Sequence, residues 1–169
     1  MNTQLLFFIS VAFSFVAWGI VSGLYIWPAL RVRPRAEALR PLLLLNSFRF
    51  LGLAFLVPGV VSPDLPSAFA HAAGFGDFIA AILALVSLLS LESSAGVVMT
   101  WIFNIWGAAD LLNAFYQGNH AGLQAGQLGA LYFIPAFGVP LFLIVHGLVF
   151  RILLQSRDQF VVREGRLTA

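Results

Sequence analysis

The chain predicts an all-α integral membrane protein, a compact five-transmembrane-helix bundle with its N-terminus outside and its C-terminus inside. Three observations carry that expectation. Of 169 residues, 60% are hydrophobic and only 9% charged, with a mean hydropathy of +0.94. A soluble domain carries about 25% charged residues, and this chain has too little polar surface to cover a water-soluble globule. Five stretches each supply the ~20 mostly apolar residues that a spanning helix needs. Finally, all nine basic residues are arginine, and their positions along those stretches are strongly one-sided.

The first expected span covers about 5–30. The Met-Asn-Thr-Gln start has no basic stretch, and the apolar run is longer than the core of a signal peptide, so it is read as a retained helix. It contains Gly19-Ile-Val-Ser-Gly23, a pattern that lets helix backbones approach closely in lipid. Pro34 and Pro41 frame the first loop, and the second span follows at about 41–61. Pro58, Pro63 and Pro66 punctuate the second loop before a third span at about 69–91. In that span Ala73, Asp77, Ala80, Ala84 and Ser87 recur at three- and four-residue steps and make one small-residue face. The Glu92-Ser-Ser-Ala-Gly96 turn leads into a fourth span at about 96–116. Gln117-Gly-Asn-His-Ala-Gly122 leads into the fifth, at about 127–152, where Pro135 and Pro140 each free a backbone carbonyl. Residues 153–169 form a cytoplasmic tail. No linker or low-complexity stretch divides the chain, which is expected to be one transmembrane domain, 1–169.

Orientation follows from arginine. Arg31, Arg33, Arg35 and Arg40 lie in the first loop, and Arg151, Arg157, Arg163 and Arg166 at the C-terminal end; alternating sides places them together. The other side has no Arg or Lys, so the positive-inside rule puts the N-terminus out. The Arg-only, Ala/Gly/Leu-rich composition is of the kind GC-rich codon usage produces. A multi-pass protein of a bacterial inner (plasma) membrane is therefore expected, with membrane lipids as its surroundings. A net charge of +2 with scattered arginines gives no nucleic-acid footprint. Without cysteine there is no disulfide, thiolate catalysis or thiolate metal site. Without lysine there is no Schiff base.

Function must rest on the polar groups inside the spans, where ionisable residues are costly. Counting ~1.5 Å per residue places Asp77 and Asp110 at one height, each ~20 Å from the inner edge. Arg49 lies lower, ~10 Å in, and can reach upward with its long side chain. Two carboxylates against one guanidinium leave one negative charge to be met by a proton or a shared cation. Trp106, Asn113 and Gln117 fall on the Asp110 face at helical spacing and should point inward with it. Asn46, Asn104 and His146 should form a polar tier nearer the inner side. His71 and His120 have ligand chemistry suited to a metal, but no motif spacing unites them with the aspartates, and no metal site or cofactor is assigned.

Gly74-Phe-Gly-Asp77 resembles the GxGD signature of presenilin-type and prepilin-type intramembrane aspartyl proteases, over four to six residues. That resemblance implies Asp77 and a second membrane aspartate, here Asp110, activating water for peptide hydrolysis. In the number of spans, length and tryptophan content the chain is similar to the translocator (tryptophan-rich sensory) family. Internally, Gly74-Phe-Gly-Asp77 and Gly107-Ala-Ala-Asp110 share the form Gly-x-x-Asp.

The expected function is binding or translocation of a small solute, proton or cation at a site built from Asp77, Asp110 and Arg49, with Trp106, Asn113, Asn104 and His146 around it. Five helices are few for a complete transporter, so a homo-oligomer is expected. The alternative is a non-catalytic accessory or lipid- or hydrophobic-ligand-binding subunit whose polar groups serve helix packing.

Overall fold

A computed structural model describes residues 2–155; Arg157, Arg163, Arg166 and most of the expected tail lie outside them. Among the described residues the structure is helical throughout, without strands. Five helices are long and apolar enough to cross a membrane: α1 (Thr3–Leu30), α2 (Arg35–Leu56), α3 (Ser67–Leu89), α4 (Ser94–His120) and α5 (Ile134–Leu154).

Helix α1 starts at an Asn2 cap, whose side chain accepts from the Gln4 amide at 3.0 Å. It widens into a π-turn over Ser22–Ile26, two residues before Pro28. Helix α5 repeats this arrangement, with a π-turn over Ile134–Gly138 two residues before Pro140. A proline cannot donate to the turn before it, and a local change of pitch absorbs the loss. The two helices pack on one another, with Trp18 edge-on to Phe137 at 5.2 Å.

The limits of α2 and α5 differ from the apolar windows. Helix α2 begins just after Pro34, and Pro41 lies inside it. From Phe48 to Leu56 it tightens to a 3-10 helix. The 127–132 stretch expected in the fifth span belongs to a separate 3-10 segment, Ala125–Tyr132. Gly129 breaks it at φ 54°, where a Cβ would meet the Val60 carbonyl at 2.6 Å. This segment caps the bundle end by pairing with the second loop, Ala130 N–H to Val60 O at 3.0 Å and Ser62 N–H to Gln127 O at 3.0 Å.

Helix α3 is the centre of the bundle, packed against both α2 and α4. Its small-residue face of Ala73, Asp77, Ala80, Ala84 and Ser87 is buried. Helix α4 is capped by the Ser93 hydroxyl, which accepts from the Gly96 amide at 3.1 Å. Apolar packing falls into two clusters. One, around Leu39, Leu43, Phe103, Val145 and Val149, fills the end carrying the first loop. The other, around Phe7, Phe55, Phe69 and Leu128, fills the opposite end. Arg49, between Leu43 and Phe55 on α2, and Asp77, between Ala73 and Ala84 on α3, lie where the two clusters meet. The Gly19 and Gly23 pattern, expected to make a packing seam, takes no part: a Cβ at either would meet nothing within 4 Å. α1 packs chiefly against α5 and the 125–132 segment instead.

Candidate functional site

Arg49 is only 2% exposed, and its surroundings follow from the 3-10 geometry of α2. Three residues per turn align every third side chain. Asn46, Arg49, Gly52 and Phe55, all buried, form a single line facing the interior. The glycine in that line admits Asp77 of α3: a Cβ at Gly52 would collide with the Asp77 side chain.

The guanidinium has five N–H donors, and each has an acceptor nearby. Nε donates to Asp77 Oδ1 at 2.7 Å. Nη2 lies 2.7 Å from the same oxygen and 2.6 Å from Asp110 Oδ2. Nη1 donates to the Gly107 carbonyl at 3.1 Å and faces His146 Nε2 at 3.3 Å. The Phe142 ring lies 5.8 Å from the guanidinium carbon, within cation–π range. Four helices, α2 to α5, therefore meet on one cation.

The histidine's tautomer follows from its neighbours. A nitrogen facing Arg49 must accept, so Nε2 is unprotonated and Nδ1 carries the proton. Nδ1–H donates to Asn104 Oδ1 at 2.7 Å. The Asn104 amide then donates back to the His146 carbonyl at 3.2 Å. His146 is thus a neutral acceptor, and the charge count stands at one guanidinium against two carboxylates. Charges this well buried must be paired, because their desolvation is otherwise too costly.

Three glycines make the site possible. Gly52 yields to Asp77, and Gly76 yields to Asp110, whose carboxylate would collide with a Cβ there. Gly107 leaves room for His146 and Arg49, whose nearest atoms would stand 2.5–2.8 Å from a Cβ. Gly76 falls in the Gly74-Phe-Gly-Asp77 stretch and Gly107 opens Gly107-Ala-Ala-Asp110, whereas Gly52 carries no motif that marks it in the sequence. At Gly74, the other glycine of Gly74-Phe-Gly-Asp77, a Cβ would meet the Gly52 carbonyl oxygen at 3.3 Å, so both glycines of that stretch face a neighbouring helix.

The structure brings Arg49, Asp77, Asp110, Asn104 and His146 together. Trp106 and Asn113 stand apart on the exposed side of α4, with Trp106 44% exposed. The inward face of α4 runs through Thr100, Phe103, Asn104, Gly107 and Leu111. At ~100° per residue, Asp110 lies at one edge of that face and Trp106 and Asn113 lie beyond it. The expectation that they point inward with Asp110 is corrected on this ground. Asn46 is buried on the interior line of α2, but its amide donates to Leu42 O of its own helix at 2.9 Å and it makes no hydrogen bond to Asn104 or His146. His71 and His120 stack on Phe75 and Tyr116, each at 5.9 Å. Among the described residues no group of three or more acidic or histidine side chains is placed to hold a metal ion.

No curated protein and no solved structure is significantly similar to the chain. Residues 6–154 match the family model described as Domain of unknown function (DUF8737), and the chain belongs to that family.

Proposed function

We propose that the chain is a multi-pass protein of a bacterial-type inner membrane that binds a proton or a small cation at the Asp77–Arg49–Asp110 cluster. One observation carries this reading: two carboxylates converge on a single guanidinium, and the neighbouring histidine accepts a hydrogen bond and adds no charge. The remaining negative charge calls for a cationic partner. Both aspartate side chains keep slight exposure, 13% and 12%, whereas the Arg49 side chain has none. Translocation of the bound ion would extend this role and would require a homo-oligomer to complete a path.

The N-out, C-in orientation belongs to the same proposal. Arg40 pairs with Glu92, Arg35 donates to the Gln155 carbonyl at 2.6 Å, and Arg151 lies 3.9 Å above the Trp27 ring. These contacts gather the first loop, the third turn and the end of α5 into one arginine-rich end. The described loops at the opposite end carry no Arg or Lys. The chain has no cysteine, so single Ser94→Cys and Asp64→Cys variants can be labelled cleanly. A membrane-impermeant maleimide applied to intact cells should label Asp64→Cys and spare Ser94→Cys. The opposite pattern inverts the orientation.

Infrared difference spectroscopy of the chain in nanodiscs tests the site itself. A carboxyl C=O band should appear or vanish between about pH 4 and 9, or on cation addition, and Asp110→Asn should remove it. A spectrum insensitive to pH and cations defeats the proposal. The engagement of every guanidinium nitrogen in a hydrogen bond favours a second reading, an accessory subunit in which the cluster only holds helices together. In that case Asp110→Asn changes stability or partner association and nothing else.

A further inference from the structure

Between α1 and α4, at the end opposite the arginines, lies a cavity of about 330 Å³. It lies apart from the ionic cluster, beside the second apolar core, whose Phe7, Phe69 and Leu128 line it; Leu111 and Val139 in its wall bring it within about a turn of Asp110 and Phe142. We propose that this cavity binds a neutral amphiphile dissolved in the bilayer: a hydroxyl or carbonyl head on an apolar body of about ten to twelve carbons.

Size, lining and position each narrow the occupant. The volume sits at the lower end of small-ligand pockets, about twice the ~150 Å³ that holds a benzene molecule. The walls are apolar, with Phe69, Leu111, Phe115 and Val139 among them. The polar side chains among the lining residues are three amides, Gln4, Asn119 and Gln124. An amide both donates and accepts, so it suits a hydroxyl or carbonyl head. No charged side chain lines the cavity. A carboxylate, phosphate or ammonium head would be desolvated there without a counter-charge, which is unfavourable. Phospholipid is disfavoured for the same reason.

Position adds the route. Gln4, at the start of α1, is tied across to the Ala125 amide at 3.0 Å, so the amides sit at the bundle end while the cavity deepens towards its middle. Because α1 packs chiefly on α5 and the 125–132 segment, its side towards α4 is the wall with the least holding it. An amphiphile would enter apolar end first between α1 and α4 and leave its head among the amides.

The proposal is independent of the ion site, and its test uses different residues. The full chain in nanodiscs is photolabelled with a diazirine-bearing dodecanol and, separately, with the matching dodecanoate. Dodecanol should label residues 111–119 about tenfold more strongly than dodecanoate, a difference of ~1.4 kcal/mol. Ala114→Trp, which fills the cavity from α4, should abolish that labelling, and excess unlabelled dodecanol should displace it from the native chain. Equal labelling by both heads overturns the proposal. So does labelling that survives Ala114→Trp in a folded variant, or failure of unlabelled dodecanol to compete, a measurement that needs no variant. Labelling of the same residues by a photoreactive phospholipid that dodecanol cannot displace would make the cavity an acyl-chain site and overturn it as well.

Discussion

Two sets of glycines divide this molecule. On α1, Gly19 and Gly23 form the familiar GxxxG spacing, and a Cβ at either would project into open space. On α2, α3 and α4, Gly52, Gly76 and Gly107 share no common motif, yet a Cβ at each would strike a residue of the ionic cluster. In the first set the glycines lie on an exposed helix surface; in the second they are cut to the shape of particular side chains. Glycine spacing alone does not reveal which helices approach closely. The charged partner placed one turn away, or on the facing helix, is the informative neighbour.

This contrast can be broken most severely at the cation. Arg49→Leu leaves two buried carboxylates facing each other and should cost about 3–5 kcal/mol, read as loss of monodisperse protein in detergent. Adding Asp77→Asn and Asp110→Asn to it should restore much of the loss. If the triple variant is no better than the single, the carboxylates are not what Arg49 holds. Next come Gly76→Ala and Gly107→Ala, each expected to destabilise by about 1–3 kcal/mol through overpacking. A thermal-unfolding scan in detergent that shows them unchanged would mean the cluster shifts freely. Asn104→Ala removes the acceptor for His146 Nδ1–H and should cost about 1 kcal/mol, with Arg49 still bound to both aspartates. Smallest is Gly19→Ala with Gly23→Ala, which should stay within about 0.5 kcal/mol of the native chain. A large effect there would show that another chain covers α1.

Much of the architecture was open to sequence reasoning because lipid-spanning helices need long apolar runs, and counting along them is nearly metric. That counting put Asp77 and Asp110 at one height, with Arg49 a side chain's reach below, and the three do share one cluster. Height is insensitive to helix rotation, whereas facing is not. Trp106 and Asn113 lie on the neighbouring strip of α4 from the buried one, and nothing in their spacing from Asp110 says which strip faces in. The pairing of His146 with Asn104 joins α5 to α4 across 42 positions, a separation that no local pattern spans. The start of α2 at Arg35 is hidden because Pro41 reads as a breaker, yet Pro41 sits at the end of the second turn, where a helix already under way tolerates one lost bond.

The 3-10 pitch of α2 has a mechanical side. Over the nine residues Phe48–Leu56 the tighter helix is ~18 Å long, against ~13.5 Å for an α-helix of the same residues. Relaxing it would shorten α2 by ~4.5 Å and turn Phe55 by about a third of a revolution relative to Arg49. The grip of Asp77, Asp110, Gly107 and His146 on Arg49 therefore does more than join four helices. It fixes Arg49 on a stretch whose pitch sets where Phe55 stands against Phe69, 5.8 Å away in the far apolar core.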